Sequence, residues 1–225
     1  SWDDAEELYR SIMKKRGLKD GSTMASIKIM VGRELHERKQ YHKARLAYKE
    51  ALSLDENNPF SYLYIAESYL EENRVEDGLE FLKKLCENAP RYAYLGFPLI
   101  EETLFDLGRF SEIEDIYHGV LSEDSGNISA RIALAGILEK RGETATAENL
   151  LRSVLDSETV NPAAAMRLAK LLAGTDRIKE GLEILSQMAD KADFLYDRYG
   201  CNTCGKTLQE PMPFCPHCGG LGTFV

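Results

Sequence analysis

The chain repeats itself every 34 residues, and few sequence features restrict a fold more. The first full copy contains Arg38-Lys39-Gln40-Tyr41-His42-Lys43-Ala44, followed by Tyr48 and Ala51. Gly78, Leu82 and Leu85 occupy the equivalent places in the second copy, and Ile113, Tyr117 and Val120 in the third. Ala147, Leu151 and Val154 follow, then Gly181, Leu185 and Met188. The successive offsets are 34, 35, 34 and 34 residues. A period of this length means one supersecondary unit per repeat, each burying its apolar face on its neighbours. The small residues Ala44, Gly78, Ala147 and Gly181 let two antiparallel helices approach closely. The larger apolar residues that follow form the buried stripe of each second helix. First helices carry Val31-Gly32-Leu35, Ile65-Ala66-Tyr69, Leu134-Ala135-Leu138 and Leu168-Ala169-Leu172. Turn residues fall between the helices at Glu72-Asn73, Leu107-Gly108, Arg141-Gly142 and Thr175-Asp176. Pro59 and Pro162 each open a helix, where a missing N–H costs nothing. Pro98 predicts a kink or a late start in the first helix of the third unit.

Each unit resembles the tetratricopeptide repeat, a 34-residue helix-turn-helix. That resemblance implies an all-α, right-handed superhelix, with five repeats over 23–195. Within 1–22, Ala5, Tyr9 and Ile12 match the second-helix pattern, with Asp3 or Asp4 as its cap. The expectation is a truncated upstream repeat plus a link, in the carboxy-terminal part of a longer protein. First helices line the concave face of such arrays. Phe60, Leu63, Leu70 and Phe105, edged by Glu67, are therefore the candidate partner-binding residues, forming an apolar strip on which a peptide or helix docks.

Residues 196–225 form a separate module. From residue 198 onward the chain holds four of its five cysteines and five of its 17 glycines but only three charged residues. Cys201-Asn202-Thr203-Cys204-Gly205 and Cys215-Pro216-His217-Cys218-Gly219 are two CxxC knuckles with ten residues between them, a metal-site spacing. The pattern resembles a zinc ribbon or a rubredoxin. So short a module cannot build a self-sufficient core, and a metal must hold it. Cys201, Cys204, Cys215 and Cys218 are the candidate ligands, for zinc or for iron in the same thiolate set. Four thiolates fill a tetrahedral site and leave no open position for catalytic water. The ribbon is expected to cap the last repeat while presenting its own loops.

The remaining features argue against other classes. A net charge of −9 does not suit a general nucleic-acid binder or adhesion to anionic lipid. No apolar run is long enough to span a membrane. Clustered rather than scattered cysteines point to a reducing compartment. Cys86 reads as a small core residue, His217 as an outward-pointing side chain, and His36, His42 and His118 as surface residues. No Ser/His/Asp arrangement, phosphate loop or HExxH stretch is visible, so the expectation is not an enzyme.

Repeats closed by a four-cysteine ribbon resemble the lipopolysaccharide assembly protein B family. The resemblance rests on Ile29-Met30-Val31-Gly32-Arg33, on Gln40-Tyr41-His42-Lys43-Ala44, and on Arg198-Tyr199-Gly200-Cys201 through Cys218. Leu221 departs from it, standing where the family usually has an aromatic residue. The resemblance implies a non-enzymatic adaptor that presents the lipid A pathway deacetylase to a membrane AAA protease and so regulates lipopolysaccharide synthesis. It also implies protein partners through the concave face and the ribbon, a cytoplasmic location, and membrane attachment only through an anchor upstream of Ser1. Two alternatives stay open: a generic repeat scaffold of another pathway and a rubredoxin-like electron carrier.

Overall fold

A left-handed residue closes the first helix of every repeat. Lys39, Asn73, Gly108, Asp176 and Gly142 all have φ between 58° and 84°, and in chain order their spacing reproduces the offsets of the sequence repeat. The same backbone bond recurs at each: the N–H of the next residue reaches back five residues, as Gln40 to Leu35, Arg74 to Tyr69 and Arg109 to Leu104, each at 2.9 Å. Glu143 to Leu138 and Arg177 to Leu172 repeat it at 2.9 Å. This is the Schellman closure, which satisfies the last carbonyls of a helix and turns the chain sharply into its partner.

The computed structural model describes residues 7–9, 11–12, 14–15, 21–156, 161–189, 199–208 and 212–221. From Gly21 onward the described helices pair in sequence: α1 (Gly21–Glu37) with α2 (Tyr41–Leu54), α3 (Pro59–Leu70) with α4 (Val75–Asn88), and α5 (Phe97–Asp106) with α6 (Phe110–Glu123). Then α7 (Ile128–Lys140) pairs with α8 (Thr144–Leu155), and α9 (Pro162–Gly174) with α10 (Ile178–Ala189). The last described element is a two-stranded antiparallel ladder, β1 (Tyr199–Gly200) against β2 (Thr207–Leu208). The chain divides into two units, one made of Ser1–Gly96 with Asp197–Val225, the other of Phe97–Tyr196.

Both prolines placed at helix starts are there, and Asn58, Asn127 and Asn161 cap α3, α7 and α9 by accepting from the N–H three residues on. Pro98 acts as expected. The third unit opens with a 3-10 turn (Pro90–Leu95), and its α-helix begins only at Phe97. The first complete repeat starts at Gly21, two residues ahead of the boundary read from sequence. Tyr9 and Ile12 are helical; Asp3, Asp4 and Ala5 lie outside the described residues.

The first unit's core joins Ala25, Ile29, Ala44, Tyr48, Ala51, Ile65 and Tyr69. Close helix approach depends on missing side chains. A Cβ on Gly32 would lie 2.3 Å from the Tyr48 ring, and one on Gly78 would lie 2.7 Å from Leu70. Arg45 is 5% exposed, pairs with Glu72 at 2.6 Å, donates to the Ser68 carbonyl at 3.1 Å and covers the Tyr69 ring. Breaking a buried pair of this kind leaves an uncompensated charge.

In the second unit the buried stripe holds at Ile113, Tyr117, Val120, Ala147, Leu151 and Val154. It lapses at the fifth repeat: Leu185 is exposed, beside Met166 at 65% and Leu182 at 61% exposure. The ribbon belongs to the unit of Ser1–Gly96, where the Tyr94 and Tyr199 hydroxyls meet at 3.0 Å.

A lysine held at φ 58° carries a strain that glycine does not. Lys39→Gly is expected to stabilise the chain by about 1 kcal/mol, read as a raised urea midpoint with an unchanged slope.

Candidate metal centre and partner surface

The ribbon is the same hairpin built twice. Cys201 N–H donates to the Lys206 carbonyl at 2.9 Å, and Gly205 N–H donates to the Cys201 carbonyl at 2.8 Å. Cys215 N–H donates to Gly220 at 2.7 Å and Gly219 N–H to Cys215 at 2.8 Å. Gly205 and Gly219 both have φ +70°, a left-handed conformation that suits glycine and closes each knuckle. Gly200 pairs with Thr207 in the first hairpin, and Phe214 with Leu221 in the second. Each of these bonds and the Gly200–Thr207 pairing recurs fourteen residues later.

The two knuckles bring their sulfurs together. Cys201 Sγ lies 3.7 Å from Cys218 Sγ, and Cys204 Sγ lies 3.7 Å from Cys215 Sγ. All four lie within 4.8 Å of one another. A tetrahedral ion with metal–sulfur bonds of about 2.3 Å places its ligands about 3.8 Å apart, and a disulfide would need about 2.05 Å. The donor set therefore fits a four-thiolate metal ion. Cys201 and Cys215 are buried, Cys204 and Cys218 exposed. At Cys218 the Gly220 N–H lowers the thiol pKa, but desolvation and the three neighbouring thiols prevail and push it up to about 12. A bound cation reverses that balance and holds the sulfurs as thiolates. His217 is exposed and outside the sulfur cluster.

The other singled-out cysteine behaves as a core residue: burial pushes the Cys86 thiol up to about 12, far from the thiolate a nucleophile needs. His42 and His118 are exposed. His36 is half-buried against Tyr41, with ring centroids 5.1 Å apart, and desolvation lowers its pKa.

Four of the five candidate partner residues lie on α3. Phe60 and Tyr64 rings stand 6.2 Å apart, and Arg33 covers the Tyr64 ring at 5.5 Å. Leu63 packs against the cluster of Tyr62, Leu85 and Ala89, while Leu70 fills the space beside Gly78. Glu67 is half-buried among these groups. Desolvation raises its pKa to about 7, with Arg33 opposing the shift and Glu71 reinforcing it. Phe105, in the other unit, stacks with Phe110 at 5.1 Å beneath the Lys140 ammonium at 4.0 Å. Sequence reasoning missed Tyr94 and Tyr199, whose meeting across 105 residues no local pattern announces. It also missed Tyr48's hydroxyl, which is buried without a hydrogen-bond partner among the described residues.

Residues 104–159 match the family model described as tetratricopeptide repeat. The chain has the tetratricopeptide-repeat fold. No curated protein matches it. Among solved structures it is similar to a thermophilic tetratricopeptide-repeat protein of Thermus thermophilus, at 20% identity over 76% of this chain and 93% of that one, with a TM-score of 0.51. It is similar to pilF of Pseudomonas aeruginosa at 15% identity over 75% of this chain and 78% of that one, with a TM-score of 0.50. YrrB, a tetratricopeptide-repeat protein with an unusual peptide-binding site, matches at 14% identity over 84% and 95% of the two chains, with a TM-score of 0.45. Among the described residues no helix is long and apolar enough to cross a membrane.

Two outcomes are expected. Cys201→Ser with Cys204→Ser should abolish stoichiometric metal in elemental analysis while most of the helical circular dichroism remains, because the ligands hold only the ribbon. Between pH 4.5 and 7 the folded chain keeps a proton on Glu67 that the unfolded chain has released, so this group's contribution to stability falls as pH rises. Glu67→Gln should remove that decline, gaining about 1 to 3 kcal/mol over the parent at pH 8 and little at pH 4 in paired urea titrations.

Proposed function

We propose that this chain is a non-enzymatic adaptor in which the repeats recognise a protein partner and a metal-held ribbon completes the recognition surface. The observation that carries this reading is the position of the ribbon. It belongs to the same unit as the first repeats and meets them through Tyr94 and Tyr199, beside Phe60, one of the candidate partner residues. Zinc is the proposed occupant of the four thiolates, as a structural ion with a closed coordination shell; iron fits the same ligands.

The pathway we propose is the regulation of lipopolysaccharide synthesis. There the chain would present the lipid A pathway deacetylase to a membrane AAA protease at the cytoplasmic face of the inner membrane. Support comes from the family resemblance in sequence and from a pairing that is uncommon among repeat proteins: a helical array with a terminal ribbon of two matched knuckles. A generic repeat scaffold would account for the helices equally well, but not for the ribbon's attachment to them.

A pull-down from envelope extract tests the proposal, with wild type beside Cys201→Ser/Cys204→Ser and mass spectrometry as readout. Recovery of the deacetylase or the protease by wild type, at least tenfold above the double variant, is the expected result. Recovery of neither, with other proteins enriched, would overturn the pathway assignment.

A further inference from the structure

Beside the ribbon lies a cavity of about 390 Å³, within the size range of pockets that bind small ligands or side chains. Four aromatic rings line it: Phe60 from α3, Tyr92 and Tyr94 from the 3-10 turn, and Tyr199 from the ribbon. Met212 and Pro213 close it on the ribbon side. Tyr and Phe give large contact area with few rotors to freeze, which is why such walls suit recognition.

The charge at its rim is unusual for this protein. Arg91 lines the cavity and is exposed. Every other described arginine is occupied. Arg38, Arg45, Arg74, Arg109, Arg141, Arg152 and Arg177 are in ion pairs. Arg131 and Arg167 donate to carbonyls, and Arg33 covers Tyr64. Arg91 alone has no ion pair, hydrogen bond or ring contact among the described residues, in a chain with nine excess negative charges. Its charge reaches the Tyr94 hydroxyl, opposing the rise that burial imposes there.

The tyrosine pair adds a donor. Two hydroxyls 3.0 Å apart share one hydrogen bond, so one of the two O–H groups has no acceptor among the described residues and can donate outward. At the opposite polar edge Asp55 accepts from the Asn58 amide at 3.1 Å and is already engaged. The guanidinium and the spare hydroxyl thus form a donor pair facing a box of rings, and an anionic oxygen acceptor fits it.

We infer that this ribbon-walled cavity binds a peptide carboxylate carried next to an aromatic or proline side chain, the carboxylate on Arg91 and the spare tyrosine hydroxyl, the side chain among Phe60, Tyr92 and Tyr199. This rests on the protein-recognition reading above and narrows it to an acidic, aromatic-containing segment of the partner. It also gives the metal a purpose beyond local folding, since the ion fixes the wall that carries Tyr199, Met212 and Pro213.

The test is selection from a phage-displayed random hexapeptide library on the zinc-loaded full chain, followed by fluorescence anisotropy with the selected peptides. The expected result is enrichment of Asp or Glu beside Phe, Tyr, Trp or Pro. Arg91→Ala should weaken binding about tenfold and Tyr199→Phe about threefold, with metal content and melting temperature unchanged in the exposed Arg91→Ala variant. Peptides that bind without this signature, or that bind both variants as tightly as wild type, overturn the cavity assignment and leave the repeats as a binding surface. A chain that retains no peptide overturns both. N-acetylphenylalanine competing as well as the hexapeptides would assign the site to free carboxylates and overturn the peptide.

Discussion

A single pair of helices cannot bury both of its apolar faces, and the rest of this structure follows from that constraint. Each pair must close tightly enough to present a flat, continuous face to the next. Two devices secure the closure: a small residue where the helices cross, and a left-handed residue where the first helix ends. Tyr48 shows how strict the fit is, since its ring fills the space that a side chain on Gly32 would take. Its hydroxyl has no hydrogen-bond partner among the described residues, a penalty of roughly 1 to 3 kcal/mol at that depth. Neighbouring pairs then lock through longer reaches, such as Arg45 to Glu72 in the first unit and Arg177 to Glu148 in the second.

The ribbon solves a different problem. It has too few apolar residues to fold on burial alone, and the four sulfurs gathered by its two matching knuckles fit a metal ion that would supply the missing energy. What the ion stabilises is also the wall against which the first helices rest. In the proposed adaptor, metal binding and ribbon folding would be linked to the shape of the recognition face, and the loss of any ligand should be felt at the Tyr94–Tyr199 contact.

Much of this was legible in the chain. The 34-residue period located the helix pairs, Pro59 and Pro162 marked helix starts, and Pro98 announced the late third-unit helix, because each of these acts through local backbone geometry. The sulfur cluster was legible for the same reason: CxxC-Gly is a local turn, and two turns of equal length meet symmetrically. The ribbon's seat was not. Its position rests on contacts between residues more than a hundred apart, and repeat periodicity describes only nearest neighbours. The exposure of Leu185 shows the same limit, since its period position matches the buried Leu151 but no described residue buries it. Among the partner residues, Phe60 and Glu67 stand out for physical reasons that spacing cannot reveal. One lines a cavity made partly by the ribbon, and the other is desolvated beside Arg33.

If a metal holds the ribbon on the first repeats, stripping the metal should loosen both. Hydrogen–deuterium exchange by mass spectrometry reads this out, comparing the zinc-loaded chain with the same chain after chelation. Faster exchange is expected in the ribbon and also in the turn Pro90–Leu95 and the start of α3 at Pro59, with α7 to α9 unchanged. Faster exchange confined to the ribbon, with Pro90–Leu95 as protected as before, would show that the ribbon does not shape the first repeats.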